Sequence, residues 1–116
     1  MAKIMRVNMT TQKVALEEVA PEYQNLGGRG LTSALVAKEV PALCNPIGPY
    51  NKLIFAPGLL GGTSAPISGR LSVGGKSPLT GTIKEANSGG QAGQYIARCG
   101  LKAIVVEGQP PAGKLF

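Results

Sequence analysis

The chain has 116 residues, of which 43% are hydrophobic and 16% are charged, so it fits one small globular domain and is too apolar for a disordered tail. The 12 basic and 6 acidic residues give a formal charge of +6, which suits an anionic ligand or an acidic partner. The basic residues are scattered singly and the aromatic residues lie far apart, a pattern that argues against a nucleic-acid interface.

The sequence contains no histidine and two cysteines, Cys44 and Cys99, which lack CxxC spacing. A zinc or iron–sulfur site therefore cannot be assembled from this chain alone, and we expect two packed, reduced thiols. Reduced thiols indicate a reducing compartment. No apolar run approaches the roughly 20 residues of a membrane span, and the N-terminus lacks the apolar segment of a signal peptide. The sequence thus predicts a cytoplasmic protein that does not enter a membrane.

The first half of the chain predicts a β-hairpin with strands over residues 4–9 and 14–19, and then a short turn or helical segment over 21–28. A helix over 31–40 and a loop over 41–50 follow. Alternation of apolar and polar side chains indicates the first strand, and the second is apolar enough to pair back onto it. Leu31 and Leu35 form an i,i+4 pair on the helix, and Pro41 ends it.

The second half predicts strands over 52–56, 70–73, 82–86 and 103–107 and a helix over 91–99. Because the strands come in neighbouring pairs with only two helices, the predicted fold class is α+β, with a β-hairpin and short mixed strands. We assign residues 1–116 to a single, partial domain. The final residues, 110–116, resemble a turn leading into another strand, so we expect a piece of a longer protein.

The segment from Ser64 to Gly90 is the most informative part of the chain. Arg70 supplies a planar, permanently charged group suited to phosphate, and residues 87–90, Asn-Ser-Gly-Gly, can expose backbone N–H groups where the second helix begins. These are the parts of an anion-binding site. On spacing alone an alternative stays open, in which Arg70 forms a surface ion pair, the glycine doublets are turn residues with positive φ, and Lys76 is ambiguous.

Two other glycine-rich motifs are weaker. Residues 69–77 resemble a phosphate-binding P-loop, but Arg70 falls where a glycine is required and Pro78 follows where a helix must begin. Residues 28–33 carry two glycines of a dinucleotide-binding motif and then Ser33 in place of the third. The better interpretation there is a helix start allowed by glycine, with Arg29 solvated or paired.

Several motifs occur in an order that resembles the N-terminal region of the tungsten-dependent aldehyde:ferredoxin oxidoreductases, over almost the whole chain. They are Gly27-Gly-Arg-Gly-Leu31, Ser68-Gly-Arg70, Lys76-Ser-Pro-Leu-Thr-Gly81, Ala86-Asn-Ser-Gly-Gly90 and Gly100-Leu-Lys-Ala-Ile-Val-Val-Glu-Gly108. The resemblance implies the first half of a duplicated α+β domain that forms a base under the cofactor. Two departures are Ser68, where the family has glycine, and Gly74-Gly75, where the family has residues more typical of strands.

The resemblance also implies cofactors and site residues. The family holds tungsten, or molybdenum in some relatives, through two pterin cofactors whose phosphates are bridged by magnesium, with a [4Fe–4S] cluster nearby. Arg70, Asn87 and Gly89 match positions that contact the pterin: Arg70 its phosphate or a ring oxygen, Asn87 a ring edge, and Gly89 by close backbone approach. None is expected to bind the metal. The catalytic residues, the cluster cysteines and the second pterin-binding half lie outside this chain, which alone is expected to be inactive.

The implied reaction is oxidation of an aldehyde to a carboxylic acid, with electrons passed through the cluster to ferredoxin. The implied partners are ferredoxin, the aldehyde, and the remainder of the oxidoreductase with its second half-domain and cluster-binding domains. Two alternatives stay open: a related enzyme acting on a sugar-phosphate aldehyde or an aromatic acyl thioester, and a non-catalytic anion-binding, pterin-binding or assembly subunit. The particular aldehyde, the choice of metal and the formation of a homo-oligomer are not fixed by the sequence.

Overall fold

A computed structural model describes residues 2–111, which form six β-strands, two α-helices and one short 3₁₀ helix. The elements are β1 Lys3–Asn8, β2 Lys13–Glu18, the 3₁₀ helix Pro21–Tyr23, α1 Gly28–Glu39, β3 Lys52–Pro57, β4 Leu71–Lys76, β5 Ile83–Ser88, α2 Ala92–Arg98 and β6 Leu101–Glu107. All strands belong to one mixed sheet, so the predicted α+β fold class is confirmed. The strand predicted from residues 110–116 falls mostly outside the described residues.

The sheet has the strand order β2-β1-β6-β3-β4-β5. Two hairpins, β1–β2 and β4–β5, form its two ends, as expected for strands adjacent in sequence. The last strand, β6, joins the two halves of the sheet by inserting between β1 and β3. It pairs parallel with β1 and antiparallel with β3. The β4–β5 hairpin, which carries the candidate site, therefore lies at one edge of the sheet.

Helix α1 covers one face of the sheet and builds the core. Leu31 and Leu35, the predicted i,i+4 pair, are fully buried, and they share a cluster with Ile54 of β3 and Val105 of β6. Each fully buried side chain of this size contributes about 1.5–3 kcal/mol of hydrophobic stabilisation. As predicted, the helix stops at Glu39, just before Pro41.

The helix approaches β4 closely at Gly74. A Cβ on Gly74 would lie 2.7 Å from the Cβ of Thr32, and one on Gly75 would lie 2.7 Å from the carbonyl oxygen of Lys52. Both glycines sit inside β4, and neither has a positive φ. The interpretation of this doublet as turn chemistry is therefore wrong; it lets a helix and a neighbouring strand pack against β4.

An ion-pair cluster, called the Arg6 cluster, joins the C-terminal end of α1 to the sheet and comprises Arg6, Glu17, Glu39, Lys52 and Glu107. Arg6 contacts Glu17 at 2.8 Å and Glu39 at 2.7 Å, while Lys52 contacts Glu39 at 2.9 Å and Glu107 at 2.8 Å. Burial acts to raise the pKa of Glu39, but the hydrogen bonds from Arg6 and Lys52 outweigh it and lower the pKa. Each of the two cations in the cluster is thus paired with at least two of its three carboxylates.

The opposite face of the sheet is only partly covered by the described residues. Its apolar side chains, called here the open sheet face, are Met5, Val7, Val14, Leu16, Leu53, Phe55, Val73, Ile104 and Val106. Strand registers connect them, since Met5 pairs with both Leu16 and Ile104 and Phe55 pairs with both Ile104 and Val73. Val14, Leu16 and Leu53 remain 54%, 58% and 46% exposed. The sheet therefore has one packed face and one apolar face open to a partner.

The two cysteines do not share one environment. Cys44 is partly buried against the core, as expected, whereas Cys99 at the end of α2 is exposed, so the prediction of a packed thiol is wrong there. Both thiols are free. Within residues 2–111, no helix is long and apolar enough to cross a membrane.

Candidate functional site

The structure brings the three predicted site residues together at the edge of the sheet. Arg70 immediately precedes β4, Asn87 lies near the end of β5, and Gly89 follows that strand. The Nε–H of Arg70 donates a hydrogen bond to Oδ1 of Asn87 at 2.5 Å. A Cβ on Gly89 would lie 3.1 Å from Nη1 of Arg70, and Gly89 has no positive φ, so the glycine provides space for the guanidinium. These three residues form an exposed surface, called the Arg70 site.

Helix α2 fixes the backbone on which Arg70 sits. A Cβ on Gly93 would lie 3.0 Å from the carbonyl oxygen of Gly69 and 3.1 Å from that of Arg70. The side chain of Gln94 adds two ties to the preceding loop, since it accepts a hydrogen bond from the Gly62 amide and donates one to Ser68 at 3.3 Å. The Arg70 backbone therefore packs closely against α2, while its side chain reaches into solvent.

Asn87 is held on two sides. Its Oδ1 accepts a hydrogen bond from Arg70, and its Nδ2 donates one to Oγ of Ser72 at 3.2 Å. Ser72 lies directly opposite Asn87 in the pairing of β4 with β5. A side-chain amide has two donor hydrogens and two lone pairs. The second N–H of Asn87 contacts the Glu85 carboxylate, so one lone pair of Asn87 remains for a ligand. Arg70 uses only Nε, and within the described residues its terminal nitrogens form no ion pair with a carboxylate.

The predicted row of backbone amides at the start of a helix takes a different form. Asn87 and Ser88 extend β5 by two residues beyond the predicted strand end, and α2 begins only at Ala92. Gly90 between them has a φ of +99°, which makes the reversal from strand to helix possible. Pairing with β4 overrides the weak strand tendency of Asn and Ser. The Arg70 site is therefore built on a strand edge, with side chains as its main polar groups.

Lys76 and Ser77 belong to the scaffold. The Lys76 ammonium donates to the carbonyl oxygens of Ala42 and Cys44, both at 2.6 Å, and so fixes the loop after α1. The buried Ser77 hydroxyl accepts from the amides of Leu79 and Thr80 at 3.1 and 3.2 Å and closes the turn between β4 and β5. With Lys76 occupied in this way and its glycines inside β4, the segment is not a P-loop.

Arg29 behaves as its sequence context predicts. It lies in the first turn of α1, which follows a 3₁₀ helix instead of a strand, so the dinucleotide-binding interpretation fails there. Its side chain is 73% exposed, and its Nε donates to Oε2 of Glu85 at 3.2 Å. The expected helix start with a paired Arg29 is confirmed.

Two functional candidates, Glu85 and Ser72, were not found from sequence. The Glu85 side chain is 11% exposed, and its Oε1 is buried without an aligned hydrogen-bond partner within residues 2–111. Burial acts to raise the pKa of Glu85, but the Ser72 hydroxyl and the charge of Arg29 outweigh it and lower the pKa. The available signal was the period-2 alternation of a strand, which places Glu85 and Asn87 on one face.

The described residues offer no metal centre of their own. Within residues 2–111, no group of three or more His, Cys, Asp or Glu side chains is close enough to hold a metal ion. What the Arg70 site can do is bind: it offers guanidinium donors, an oriented amide and a space kept free of side chain. These features suit a planar, anionic ligand approaching from outside the chain.

The fold is an α+β domain with one six-stranded sheet and a polar surface at its edge, and comparison with known proteins identifies its family. A family model described as the N-terminal domain of aldehyde ferredoxin oxidoreductase matches residues 4–115. The chain belongs to this oxidoreductase family, as the order of its motifs predicted.

Relatives and a solved structure agree with this assignment. The chain is 50% identical over 109 residues to the tungsten-containing aldehyde ferredoxin oxidoreductase of Thermococcus kodakarensis and 48% identical to that of Pyrococcus furiosus, covering 92% of this chain and 18% of each relative. It also superimposes, with a TM-score of 0.88 and 28% identity, on a chain of the active site complex BamBC of benzoyl coenzyme A reductase with 1,5-dienoyl-CoA, covering 95% of this chain and 17% of the other. The chain thus spans about a fifth of these proteins.

Proposed function

We propose that this chain is the N-terminal, tungsten–pterin-binding part of an oxidoreductase that oxidises aldehydes to carboxylic acids and passes the electrons to ferredoxin. The observation that carries the proposal is the Arg70 site, where a guanidinium held by Asn87 keeps its terminal nitrogens free of any described carboxylate. Family membership and the tungsten-containing relatives support the same assignment. The cytoplasmic location stays a prediction.

The residues present fit the group that the family implies. The free edge of the Arg70 guanidinium matches a phosphate or a ring oxygen, and the remaining lone pair of Asn87 matches a donor on the edge of a pterin. A Cβ on Gly89 would intrude on Nη1 of Arg70. When bound, a tungsten–pterin cofactor supplies the two-electron redox chemistry of the reaction. The residues of this chain bind and orient it.

The remaining parts of the proposed enzyme lie outside this chain. The resemblance implies magnesium and a [4Fe–4S] cluster, and the described residues contain no group of three or more His, Cys, Asp or Glu side chains that could hold a metal ion. The second half of the duplicated domain would cover the open sheet face, where apolar side chains such as Leu16 are 58% exposed. Ferredoxin would dock on the same larger assembly.

The test is Arg70→Ala in the full-length protein. A charge-assisted hydrogen bond contributes about 1.5–3 kcal/mol, so we expect a roughly tenfold to hundredfold weaker hold on the cofactor. The melting temperature should stay close to that of the parent protein, since Arg70 is exposed. The measurement is pterin and tungsten content per folded protein after extended dialysis.

Two further variants complete this experiment. Asn87→Ala should act in the same direction as Arg70→Ala. The matched control is Lys38→Ala, which removes an exposed cation of α1 that pairs with Glu22 of the 3₁₀ helix, away from the Arg70 site, and should change neither quantity. Full cofactor content in Arg70→Ala, or loss that follows unfolding, would show that Arg70 is a structural residue and that this function is assigned to the wrong surface.

A second candidate function rests on the structural likeness to the benzoyl coenzyme A reductase complex. It would make the chain part of an enzyme acting on an aromatic acyl thioester. The 50% identity to an aldehyde ferredoxin oxidoreductase, against 28% for the reductase chain, favours the aldehyde enzyme. Comparing turnover of simple aldehydes and of benzoyl-CoA by the full-length protein separates the two, and turnover of neither would favour a non-catalytic subunit.

A further inference from the structure

We propose that Glu85 and Ser72 are positioning residues of the Arg70 site: they fix the orientation of the Asn87 amide and, through it, the guanidinium of Arg70. This inference rests on the proposed function and deepens it. It concerns a chain of polar contacts that runs along one face of the β4–β5 hairpin, from Arg29 at the start of α1 to Arg70 at the ligand.

The strand register brings these side chains to one face. Ser72 pairs with Asn87, and Gly74 pairs with Glu85, so Ser72 and Glu85 are diagonal neighbours across the hairpin. Ser72 is 2% exposed, and a Cβ on Gly28 of α1 would lie 3.5 Å from its hydroxyl oxygen, which places this face beneath the start of the helix. Ser72 and the Glu85 side chain, which is 11% exposed, are therefore shielded from water, while Asn87 and Arg70 stay exposed.

Two incomplete hydrogen-bonding groups lie side by side on this face. Oε1 of Glu85 is buried with no aligned donor in residues 2–111, and Oγ of Ser72 accepts from Asn87 while its own hydrogen has no assigned acceptor. The lowered pKa of Glu85, with Ser72 as its leading favourable neighbour, indicates an ionised carboxylate. A carboxylate can only accept, so in the contacts that Ser72 and Asn87 make with Glu85 the hydroxyl and the amide N–H are the donors.

The direction of every contact then follows. Because Ser72 donates to Glu85, its oxygen presents lone pairs to Asn87, and the amide must turn its NH₂ towards Ser72. The carbonyl oxygen of Asn87 consequently faces Arg70, whose Nε–H it accepts at 2.5 Å. With the amide reversed, two donors would meet between Asn87 and Arg70. Glu85 thus determines that Asn87 binds Arg70 at Nε, so the terminal nitrogens of Arg70 stay available for the ligand.

Charge alone predicts the opposite effect, which makes the inference testable. A carboxylate near a site for an anionic ligand repels that ligand, so its removal should tighten binding if only Coulomb forces matter. If Glu85 acts by orienting Ser72 and Asn87, removal of its acceptor should weaken binding. Glu85→Leu and Glu85→Gln both remove the charge, but only glutamine keeps an oxygen that can accept from Ser72.

The experiment uses the full-length protein loaded with its cofactor. We expect Glu85→Leu to raise the rate of pterin and tungsten loss on dilution about tenfold, as loss of a supporting hydrogen-bond partner typically does at a bound centre. Glu85→Gln should lose cofactor no faster than the parent protein. Crystal structures of both variants should show Arg70 released from Asn87 in the leucine variant and retained in the glutamine variant.

Additional variants exclude a general structural effect. Ser72→Ala should match Glu85→Leu, and the double variant should be no worse than either alone, since both break one chain of contacts. The control Lys38→Ala removes an exposed ion pair to Glu22 that lies away from this chain of contacts and should leave the rate of cofactor loss unchanged. Equal rates for the leucine and glutamine variants, or loss that follows only a fall in melting temperature, would overturn the inference.

Failure of this inference is distinct from failure of the proposed function. If Arg70→Ala loses the cofactor while Glu85→Leu retains it with Arg70 still bound to Asn87, the Arg70 site stands and the positioning role is wrong. If Arg70→Ala retains the cofactor, the proposed function fails first, and the positioning role fails with it. Fast cofactor loss in Glu85→Leu, together with normal cofactor retention in Glu85→Gln, supports both the proposed function and the positioning role.

Discussion

Arg6 and Arg70 occupy two regions of the sheet and have opposite surroundings. Arg6 lies in the Arg6 cluster, where carboxylates of Glu17 and Glu39 meet its guanidinium on two sides at 2.8 and 2.7 Å. Arg70 donates a hydrogen bond to one neutral side-chain amide, that of Asn87, and pairs with no carboxylate among the described residues. A guanidinium already matched by carboxylates stabilises the fold, whereas one held by a neutral group keeps its charge available for a ligand.

The same contrast separates the two faces of the sheet. The face under α1 is filled by Leu31, Leu35 and other fully buried side chains, and the Arg6 cluster closes its margin. The open sheet face and the Arg70 site both carry interaction groups without partners in the described residues. The packed face is self-sufficient. The open sheet face and the Arg70 site, which lies on the α1 side of the sheet edge, are each completed by something outside the described residues.

The largest expected effect is on stability, in the closed region. Glu39→Ala removes the carboxylate shared by Arg6 and Lys52, whose side chains are 18% and 15% exposed. Two partly buried cations would lose a partner, and we expect the free energy of unfolding to fall by about 2–3 kcal/mol, below the range for fully buried pairs. Chemical denaturation measures the fall.

Cofactor content per folded protein should not change in Glu39→Ala, in contrast to Arg70→Ala, which should lose cofactor at constant stability. The two variants thus separate an effect on stability from an effect on cofactor binding. If Glu39→Ala were to lose cofactor as readily as Arg70→Ala, the Arg6 cluster and the Arg70 site would act as one functional unit.

The next effect concerns the open sheet face. The 116-residue chain on its own should self-associate through this face, because its apolar side chains lose water on contact. Leu16→Lys should weaken the association about tenfold, since burying the exposed part of a leucine contributes roughly 1–2 kcal/mol. Sedimentation over a range of concentrations measures it.

The control for this experiment is Leu79→Lys, at a residue that is 92% exposed on the turn between β4 and β5, outside the open sheet face. It should leave the association unchanged. A compact monomer at every concentration, melting cooperatively at high temperature, would instead indicate that this region is self-sufficient too.

Much of the fold could be predicted from sequence because local patterns determine it. The hairpin, the helix with Leu31 and Leu35, and its end before Pro41 follow from periodicity and proline geometry. Strand limits were less certain where glycine or asparagine occurs. β4 continues through Gly74 and Gly75, and β5 extends to Ser88, because pairing across the sheet outweighs their weak intrinsic tendency.

The site was predicted only in part, for a reason that is also physical. The resemblance pointed to Arg70, Asn87 and Gly89, whose proximity the structure shows. Ser72 and Glu85 contact them through the register of β4 against β5, a long-range pairing that no local pattern fixes. The free state of Arg70 likewise depends on which carboxylates the fold brings near.

A smaller effect tests the space around Arg70. In Gly89→Ala the new methyl would lie 3.1 Å from Nη1 of Arg70, and Gly89 has no positive φ, so the backbone accepts alanine while the guanidinium must shift. A displacement of a few tenths of an ångström should accelerate cofactor loss about threefold. The matched control is Gly58→Ala, where a Cβ meets nothing within 4 Å. Equal rates in the two variants would show that Arg70 does not need the space.

The smallest effect is a difference in acid stability between the two regions. The pKa of Glu39 is lowered from 4.5: burial opposes the shift, but hydrogen bonds from Arg6 and Lys52 prevail. A carboxyl whose pKa is lower in the folded protein stabilises it above the unfolded pKa, and this contribution is lost as the pH falls from about 4.5 through the lowered value. Because the group is partly solvated, we expect a contribution below about 1 kcal/mol.

Glu39→Gln should lower the stability at neutral pH by a constant amount. It should also make the stability fall less steeply at pH values below the pKa of glutamate in the unfolded chain. Arg70→Ala should leave the shape of the acid limb unchanged, because no carboxylate among the described residues pairs with Arg70. Denaturation midpoints measured from pH 7 down to the acid transition give both curves. If Arg70→Ala altered the acid limb as much as Glu39→Gln, a carboxylate would have to face Arg70 in the folded protein, and its charge would not be free for a ligand.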